Sequence, residues 1–155
     1  MAKVTVTREI TAPLLDVWAS WDNFGAIARF NPSLKASRLI DNSAPSGTGA
    51  TRQCDLADGK NYIRERIIGY FPQQKIVIDI YEGTMPLKKA EATLTFRALA
   101  PNRTEVAMTM DFVPKMGLLG LAMVPMMKST FRKMLTGLLR SNADYLERGV
   151  VLNAA

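Results

Sequence analysis

The sequence predicts an α+β fold in which a seven-stranded antiparallel sheet packs against one long C-terminal helix. Most of the chain consists of short runs in which apolar and polar residues alternate, a pattern typical of strands, with brief turns between them. Over residues 115–149 the apolar residues instead recur every three or four positions with charged residues between them, which indicates an amphipathic helix. A length of 155 residues fits a single domain, 1–155.

The N-terminal part is expected to form one strand and two short helices. Alternation over residues 4–8 predicts the first strand. Thr11 fits the N-cap of the following helix, and Pro13 is tolerated in a first helical turn. The spacing of apolar residues predicts one short helix over 14–21 and a second over 22–30, which ends just before a proline. Helices this short are stable only when packed on the sheet.

The rest of the sheet is predicted to be a meander of antiparallel strands. These strands are expected at residues 33–41, 48–56, 61–71, 74–82, 90–99 and 104–113. Asp58-Gly59 is a strong signal for a two-residue hairpin turn, in which both residues take positive φ. Counting outward from this turn places Arg52 directly opposite Glu65.

Strand alternation assigns the side chains to two faces of the sheet. Tyr70 and the opposed residues Arg66 and Asp79 fall on the solvent face. Arg52 and Glu65 fall on the face toward the helix, where desolvating two charges costs several kcal/mol. The pair therefore forms a salt bridge at the rim or lines a cavity, and both alternatives stay open. The rest of this inner face is apolar and comprises Ala50, Cys54, Ile63, Ile67, Ile76, Ile78, Ile80, Ala92, Leu94, Phe96, Val106, Met108, Met110 and Phe112.

Two features subdivide the C-terminal helix. Pro125 lacks an N–H and clashes with the preceding turn, which predicts a kink between segments 115–124 and 125–149. Methionines are concentrated in residues 116–127, and their flexible side chains suit a surface with variable apolar contacts. The second segment carries the stripe expected to cover the sheet, namely Phe131, Leu135, Leu138 and Tyr145.

Composition excludes several kinds of site. The chain has no histidine, which removes Ser-His-Asp catalysis, Cys-His catalysis and His-ligated zinc, so neither a metal nor another cofactor is expected. Cys54 is the single cysteine and fits a small core residue in a reducing cytoplasm. The N-terminus has no signal-peptide pattern and no apolar run reaches the length of a membrane span. We therefore expect a cytoplasmic protein.

The positive charge of the chain does not point to nucleic acid. The net charge is +6, but the basic residues are spread along the chain and are not interleaved with aromatic ones. Basic residues on the last helix leave a weak contact with anionic membranes open. The sequence does not predict an oligomeric state.

The order of the motifs resembles that of a known superfamily. A strand followed by Ala12-Pro13 and Val17-Trp18, then Asp22-Asn23-Phe24 and Phe30-Asn31-Pro32, is similar to the opening of the START-like, Bet v 1-type superfamily (SRPBCC). Phe112-Val113-Pro114 before a long helix fits as well. Within the superfamily the chain resembles the polyketide cyclase/dehydrase and lipid-transport branch. This resemblance implies a helix-grip fold, with a curved seven-stranded antiparallel sheet wrapped around the C-terminal helix and two short helices after strand 1.

The resemblance and the apolar inner face together predict a ligand-binding protein. The ligand is expected to be a hydrophobic or amphipathic small molecule, lipid- or polyketide-like, held between the sheet and the helix. Arg52 is expected to orient a polar group of the ligand, Glu65 to hold Arg52 in place, and the loop 83–87 to gate the entrance. The predicted ligand-binding residues are Arg52, Cys54, Ile63, Glu65, Ile67, Ile78, Ile80, Met85, Leu94, Phe96, Met108, Met110, Met123, Met127, Phe131 and Leu135.

Two other functions stay open. A cyclase or dehydratase of polyketide type would use Glu65 as general base and Arg52 as oxyanion stabiliser. The lack of histidine and the pairing of the carboxylate with arginine argue against catalysis, so non-catalytic binding is favoured. The second alternative is an interaction module that presents the Met-rich segment 116–127 to a protein or a membrane.

Overall fold

A computed structural model describes residues 1–153 and confirms the predicted α+β class. The elements in chain order are β1 Ala2–Ile10, α1 Leu14–Asp22, a 3₁₀ helix Phe24–Arg29, β2 Leu34–Leu39, β3 Thr51–Leu56, β4 Tyr62–Phe71, β5 Lys75–Gly83, β6 Leu87–Ala100, β7 Arg103–Pro114 and α2 Gly117–Arg148. Each predicted strand is present, with ends that move by a few residues.

The sheet has seven antiparallel strands in the order β1-β7-β6-β5-β4-β3-β2. Strands β2 to β7 form the predicted meander, while β1 leaves its sequence neighbour and pairs with β7. The register runs from Ala2 opposite Phe112 to Ile10 opposite Thr104. Consecutive strands β1 and β2 therefore lie at opposite edges, and α1 and the 3₁₀ helix make the connection between them.

The core lies between the inner face of the sheet and α2. Phe131, Leu135 and Leu138 of the predicted helix stripe are each less than 5% exposed, and Phe131 packs on Phe112 of β7 at 4.8 Å between ring centroids. Burying a Leu or Phe side chain of this kind contributes roughly 1.5–3 kcal/mol. The two parts of the helix-grip arrangement are thus held together mainly by apolar contacts.

The helix α2 is a single continuous helix, although Pro125 predicted two separate segments. It runs without interruption from Gly117 to Arg148 with Pro125 in its interior, so the two predicted segments belong to one helix. Pro125 and Leu121, whose carbonyl loses its hydrogen-bond partner, are both exposed, so that carbonyl can be hydrated. The helix ends at Gly149, whose N–H donates to the carbonyl of Tyr145 from a left-handed conformation with φ 67°.

Local turn and cap predictions needed correction. The N-cap of α1 is Pro13 rather than Thr11, and no side chain caps this helix. The second short helix is a 3₁₀ helix. At the β3–β4 hairpin only Gly59 has positive φ, because the Asp58 carboxylate accepts hydrogen bonds from the backbone N–H groups of Lys60 and Asn61 and closes a wider turn.

A bulge in β4 reverses the predicted orientation of Tyr70. The register shifts between Ile67 and Gly69, so that Tyr70 lies opposite the buried Ile76 instead of on the solvent face. Its hydroxyl donates to the Asp22 carboxylate at 2.7 Å, and its ring lies 5.5 Å from Trp18. Strand alternation alone cannot detect such a shift, because one inserted residue exchanges the two faces.

Candidate functional site

A cavity separates the inner face of the sheet from α2 and the 3₁₀ helix. Its volume is about 110 Å³. Its walls are almost entirely apolar, with one charged pair among them. The lining residues are Trp21, Ile27, Asn31, Ser33, Leu34, Arg52, Cys54, Leu56, Ile63, Glu65, Ile78, Ile80, Met85, Leu87, Ala92, Met108, Met110, Phe131, Met134, Leu135 and Leu138.

The charged pair is Arg52 of β3 and Glu65 of β4, which lie directly opposite each other as predicted. Nε of Arg52 donates to Oε2 of Glu65 at 2.6 Å, and the two side chains are 3% and 8% exposed. The pair therefore lies inside the protein and not at its rim. Its desolvation cost is offset by good hydrogen-bond geometry and by further partners of the arginine.

The guanidinium of Arg52 is held from a second side as well. Nη1 donates to the carbonyl oxygen of Phe24 at 2.9 Å, and the guanidinium carbon lies 3.8 Å from the centroid of the Phe24 ring. A cation over an aromatic face is attracted to the negative face of the ring. Glu65 and Phe24 thus fix the arginine, so the polar part of the wall is preorganised before any ligand enters.

Cys54 adjoins this pair and is a buried structural residue. Its thiol donates to Oε2 of Glu65 at 3.4 Å. Burial raises the pKa of the Cys54 thiol well above its usual range, and the neighbouring Glu65 carboxylate raises it further. The thiol stays protonated at neutral pH, which excludes nucleophilic chemistry by its thiolate.

The hydrogen bonds of the pair leave unused capacity on its cavity side. Oε2 of Glu65 accepts from both Arg52 and Cys54, whereas Oε1 has no hydrogen-bond partner within residues 1–153. Within residues 1–153, the side-chain polar atom that is both fully enclosed and without a hydrogen-bond partner is Nε of Arg8. Oε1 of Glu65 also lacks a partner but is not fully enclosed, so it contacts accessible space. Because the positive and negative charges are paired, the polar spot in the wall is neutral overall.

The methionines of the wall make the cavity adaptable. Met85, Met108, Met110 and Met134 all line it. Its volume of about 110 Å³ is below the roughly 300–1,000 Å³ that is common for ligand pockets. Unbranched methionine side chains can change rotamer at low cost. A larger ligand therefore fits only when these side chains turn aside.

The structure brings most of the predicted ligand-binding residues together around the cavity and leaves others away from it. Ile67, Leu94 and Phe96 are buried in the core beyond the cavity wall. Met127 packs against the core, and Met123 is 43% exposed at the surface. These exceptions arise because strand parity identifies a face but not the part of the face that a helix covers. Helical periodicity likewise does not show which turns of a helix are covered by the sheet. The predicted residues that do line the cavity are Arg52, Cys54, Ile63, Glu65, Ile78, Ile80, Met85, Met108, Met110, Phe131 and Leu135.

Sequence reasoning missed the contribution of the short elements near the N-terminus. Trp21 of α1 and Ile27 of the 3₁₀ helix close one end of the cavity, together with Leu34 of β2. Their apolar spacing was visible in the sequence, but nothing in it showed that these helices cover the end of the sheet. Met134 and Leu138 were also missed as wall residues, although their helical spacing from Phe131 could have revealed them.

A surface cleft adjoins the cavity at the loop between β5 and β6. Met85 and Leu87 line both the cavity and an adjoining surface cleft of about 290 Å³. The exposed Glu82, Lys88 and Lys115 also line this cleft, and the backbone N–H of Lys115 donates to the carbonyl of Pro86 at 3.0 Å. The loop between β5 and β6 therefore lies between the cavity and the start of α2.

Residues 1–153 contain no group of three or more acidic, cysteine or histidine side chains placed to hold a metal ion. Within the same residues, no helix is both long and apolar enough to cross a bilayer.

The sequence of this chain matches a family model described as polyketide cyclase / dehydrase and lipid transport over residues 1–147. The chain belongs to this family. The predicted branch is thereby confirmed. No curated protein matches the sequence.

Solved structures with the same fold are numerous and distant in sequence. The Zhui aromatase/cyclase from Streptomyces sp. R1128 has a TM-score of 0.80 at 17% identity, with 96% of this chain and 95% of that chain covered. A START superfamily protein from Mycobacterium smegmatis has a TM-score of 0.79 at 18% identity, with 94% and 97% covered. The protein XoxI from Bacillus cereus has a TM-score of 0.79 at 18% identity, with 96% and 97% covered. These likenesses establish the helix-grip fold of the family member described above.

Proposed function

We propose that this protein binds a hydrophobic or amphipathic small molecule, without covalent chemistry, in the cavity between the sheet and α2. The observation that carries the proposal is the neutral ion pair of Arg52 and Glu65 in an otherwise apolar wall. Pockets for small ligands typically combine apolar walls with a few fixed polar groups that orient the ligand. The methionines supply walls that adjust to the body of the ligand.

The polar end of the ligand is expected to be neutral rather than anionic. Arg52 is already neutralised by Glu65 at 2.6 Å, so a ligand carboxylate would meet the Glu65 carboxylate as well as the arginine. A hydroxyl or phenol group avoids this repulsion, because it can donate a hydrogen bond to the unpartnered Oε1 of Glu65. We therefore infer a ligand of the alcohol or phenol type with an apolar body.

The test compares three probes of equal chain length, namely n-octanol, octanoic acid and n-octane. Their affinities are measured by displacement of a fluorescent apolar probe from the cavity. Octanol is expected to bind at least about tenfold more tightly than octane, since hydrogen bonds to charged groups contribute about 1.5–3 kcal/mol. Octanoate at neutral pH is expected to bind more weakly than octanol.

The matched variant is the double substitution Arg52→Met with Glu65→Leu, which replaces the pair by apolar side chains of similar size. It should bind octane as well as the wild type does and lose the preference for octanol. If none of the probes displaces the fluorophore, the proposed binding function is wrong. If octanoate binds best, the cavity takes an apolar ligand but the inferred polar group is wrong.

Catalysis remains the second candidate, because the family includes cyclases and Oε1 of Glu65 is available to a substrate. The other oxygen is occupied by Arg52 and Cys54, which limits this carboxylate as a base. If it does act as one, Glu65→Gln must abolish turnover of a polyketide-like substrate while leaving its binding intact. Equal loss of binding and turnover would instead assign Glu65 to ligand orientation.

A further inference from the structure

The first turns of α2 carry a cluster of exposed apolar side chains, here called the helix-tip patch. The exposed fractions of these residues range from 43% to 85%, which is high for leucine and methionine. The patch consists of Met116, Leu118, Leu119, Leu121, Met123 and Met126. Contiguous apolar surface of this kind marks a site of contact with a partner or a membrane.

Four of the six patch residues lie on one side of the helix. With 3.6 residues per turn, Leu118, Leu119, Leu121 and Met126 fall on the arc opposite Gly120, which is buried against Pro114 and Lys115. The helix is continuous through this region. These side chains therefore form a fixed surface that points away from the core.

The chain segment that carries the patch has basic residues and no acidic ones. No acidic residue occurs between Asp111 and Asp144. Over the same interval the chain has five basic residues, Lys115, Lys128, Arg132, Lys133 and Arg140. The first turn of α2 has no acidic residue and no side-chain cap, so its positive dipole end is not compensated there.

We propose that the helix-tip patch docks on an anionic membrane surface. Exposed leucines and methionines bordered by lysines and arginines match a lipid bilayer, in which apolar side chains enter the interface and cations meet anionic headgroups. Each basic residue near such a surface contributes about 1 kcal/mol. A second copy of this chain is disfavoured as the occupant, since two facing patches would bring their cations together without acidic partners.

The position of the patch connects docking to the cavity. A second surface cleft lies beside the patch and is lined by Val113, Met116 and Leu118. It shares Lys88 and Lys115 with the cleft that adjoins the cavity. A docked helix tip therefore places the cleft that adjoins the cavity at the lipid surface, where an apolar ligand is concentrated. This last step depends on the proposed binding function, whereas the docking itself does not.

Vesicle sedimentation tests the docking. The full chain is mixed with phosphatidylcholine vesicles that contain or lack phosphatidylserine, at low and at high salt. Binding is expected to be at least about tenfold tighter with phosphatidylserine at low salt and to fall at high salt, because exposed charges are screened. Equal binding to both kinds of vesicle, or no binding to either, overturns the proposal.

Two triple variants compare the helix-tip patch with exposed apolar residues elsewhere on the surface. The variant Leu118→Ser, Leu119→Ser, Leu121→Ser is expected to lose at least about tenfold in vesicle affinity, since burial of apolar area is removed. The matched control is Leu15→Ser, Ile68→Ser, Phe71→Ser, which changes apolar residues of similar exposure elsewhere on the surface. It should bind vesicles as the wild type does, and equal loss in both variants overturns the assignment of the surface.

Ultracentrifugation and ligand binding complete the test. If the wild type is a dimer that becomes monomeric in the patch variant, the occupant is a second copy and the membrane proposal fails. Octanol binding by the patch variant should be unchanged, because none of its substituted residues lines the cavity. Octanol binding without vesicle binding rejects docking alone, and vesicle binding without octanol binding rejects the cavity function alone.

Discussion

The indole Nε1 of Trp21 donates a hydrogen bond of 3.1 Å to Oδ1 of Asn142, and this contact joins α1 to the long helix inside the core. Asn142 is fully buried, and its Nδ2 donates in turn to Oγ of Ser20 at 3.0 Å. Trp21 also lines the cavity, so the same side chain links the helix grip to the cavity wall. The asparagine is thus a polar residue that the fold requires within an apolar stripe.

Substitution of this asparagine should destabilise the protein. Asn142→Leu leaves the Trp21 indole N–H buried without a partner, which is expected to cost about 1–3 kcal/mol in the free energy of unfolding. Urea denaturation followed by tryptophan fluorescence measures this loss. In a Trp21→Phe background the unpaired donor is absent, and Asn142→Leu should cost clearly less. An equal cost in both backgrounds would show that the hydrogen bond is not the cause.

The buried ion pair should behave as a coupled unit. Arg52→Met alone leaves the Glu65 carboxylate buried without its partner and is expected to cost about 3–5 kcal/mol, and Glu65→Leu alone a similar amount. The double variant should be far more stable than the sum of the two losses, because no uncompensated charge remains. The surface pair of Arg38 and Asp55 is the control, and Arg38→Ala should cost about 1 kcal/mol or less. Additive losses at the buried pair would contradict this account.

Gly83, in the cleft that adjoins the cavity, should be required for stability because a larger side chain has no room there. A Cβ at Gly83 would lie 2.7 Å from the carbonyl oxygen of Tyr62 and 3.0 Å from Cγ2 of Ile63, so Gly83→Ala is expected to cost about 1–3 kcal/mol. Gly137 in α2 has no atom within 4 Å of the equivalent position, and Gly137→Ala should stabilise the helix by about 0.5–1 kcal/mol. Thermal unfolding of the two variants should therefore shift in opposite directions. A shift of both in one direction would disprove the steric argument.

The buried thiol predicts a loss of stability at alkaline pH. The pKa of Cys54 is raised in the folded state by burial and by Glu65, whereas the unfolded thiol titrates near about 8.5. Below the unfolded pKa the contribution to stability is complete. As the pH rises above it, the unfolded chain releases the thiol proton while the folded chain retains it, so the free energy of unfolding falls.

The comparison with Cys54→Ala isolates this effect from other groups that titrate in the same range. Between pH 8.5 and pH 10 the wild type should lose about 1.6 kcal/mol more than the variant, because the slope rises from half of its limit of about 1.4 kcal/mol per pH unit at pH 8.5 to nearly the full limit at pH 10. Urea midpoints at a series of pH values give the difference curve. Parallel curves for the two proteins would contradict a raised thiol pKa.

The sequence could predict the sheet well because strand alternation and turn residues are local signals. The register that brings Arg52 opposite Glu65 followed from counting along a single hairpin, and the structure confirms it. The orientation of Tyr70 was missed because alternation was counted through Gly69 without a shift, although a glycine inside a strand is a signal for a bulge. The helix α2 continues through Pro125, which is exposed to solvent. Only the assembled fold determines that exposure.

The candidate site was predicted less completely than the fold. Sheet residues of the cavity wall were found from their parity, but Trp21 and Ile27 were missed because the position of the short helices over the sheet is a tertiary property. Met123 was assigned to the wall for the opposite reason, since an apolar residue on an amphipathic helix is usually buried. Its exposure within the helix-tip patch is what distinguishes this helix from an ordinary core helix.

The pairing of β1 with β7 constrains how the chain can acquire its structure during synthesis. Ala2 lies opposite Phe112 in the register, so β1 has no sheet partner until β7, the last strand of the sheet, has emerged from the ribosome. Such distant pairing has a high loop-closure entropy and slows folding. Chains that terminate before β7 would expose an unpaired strand and an open core, and would therefore be prone to aggregation rather than forming a smaller working domain.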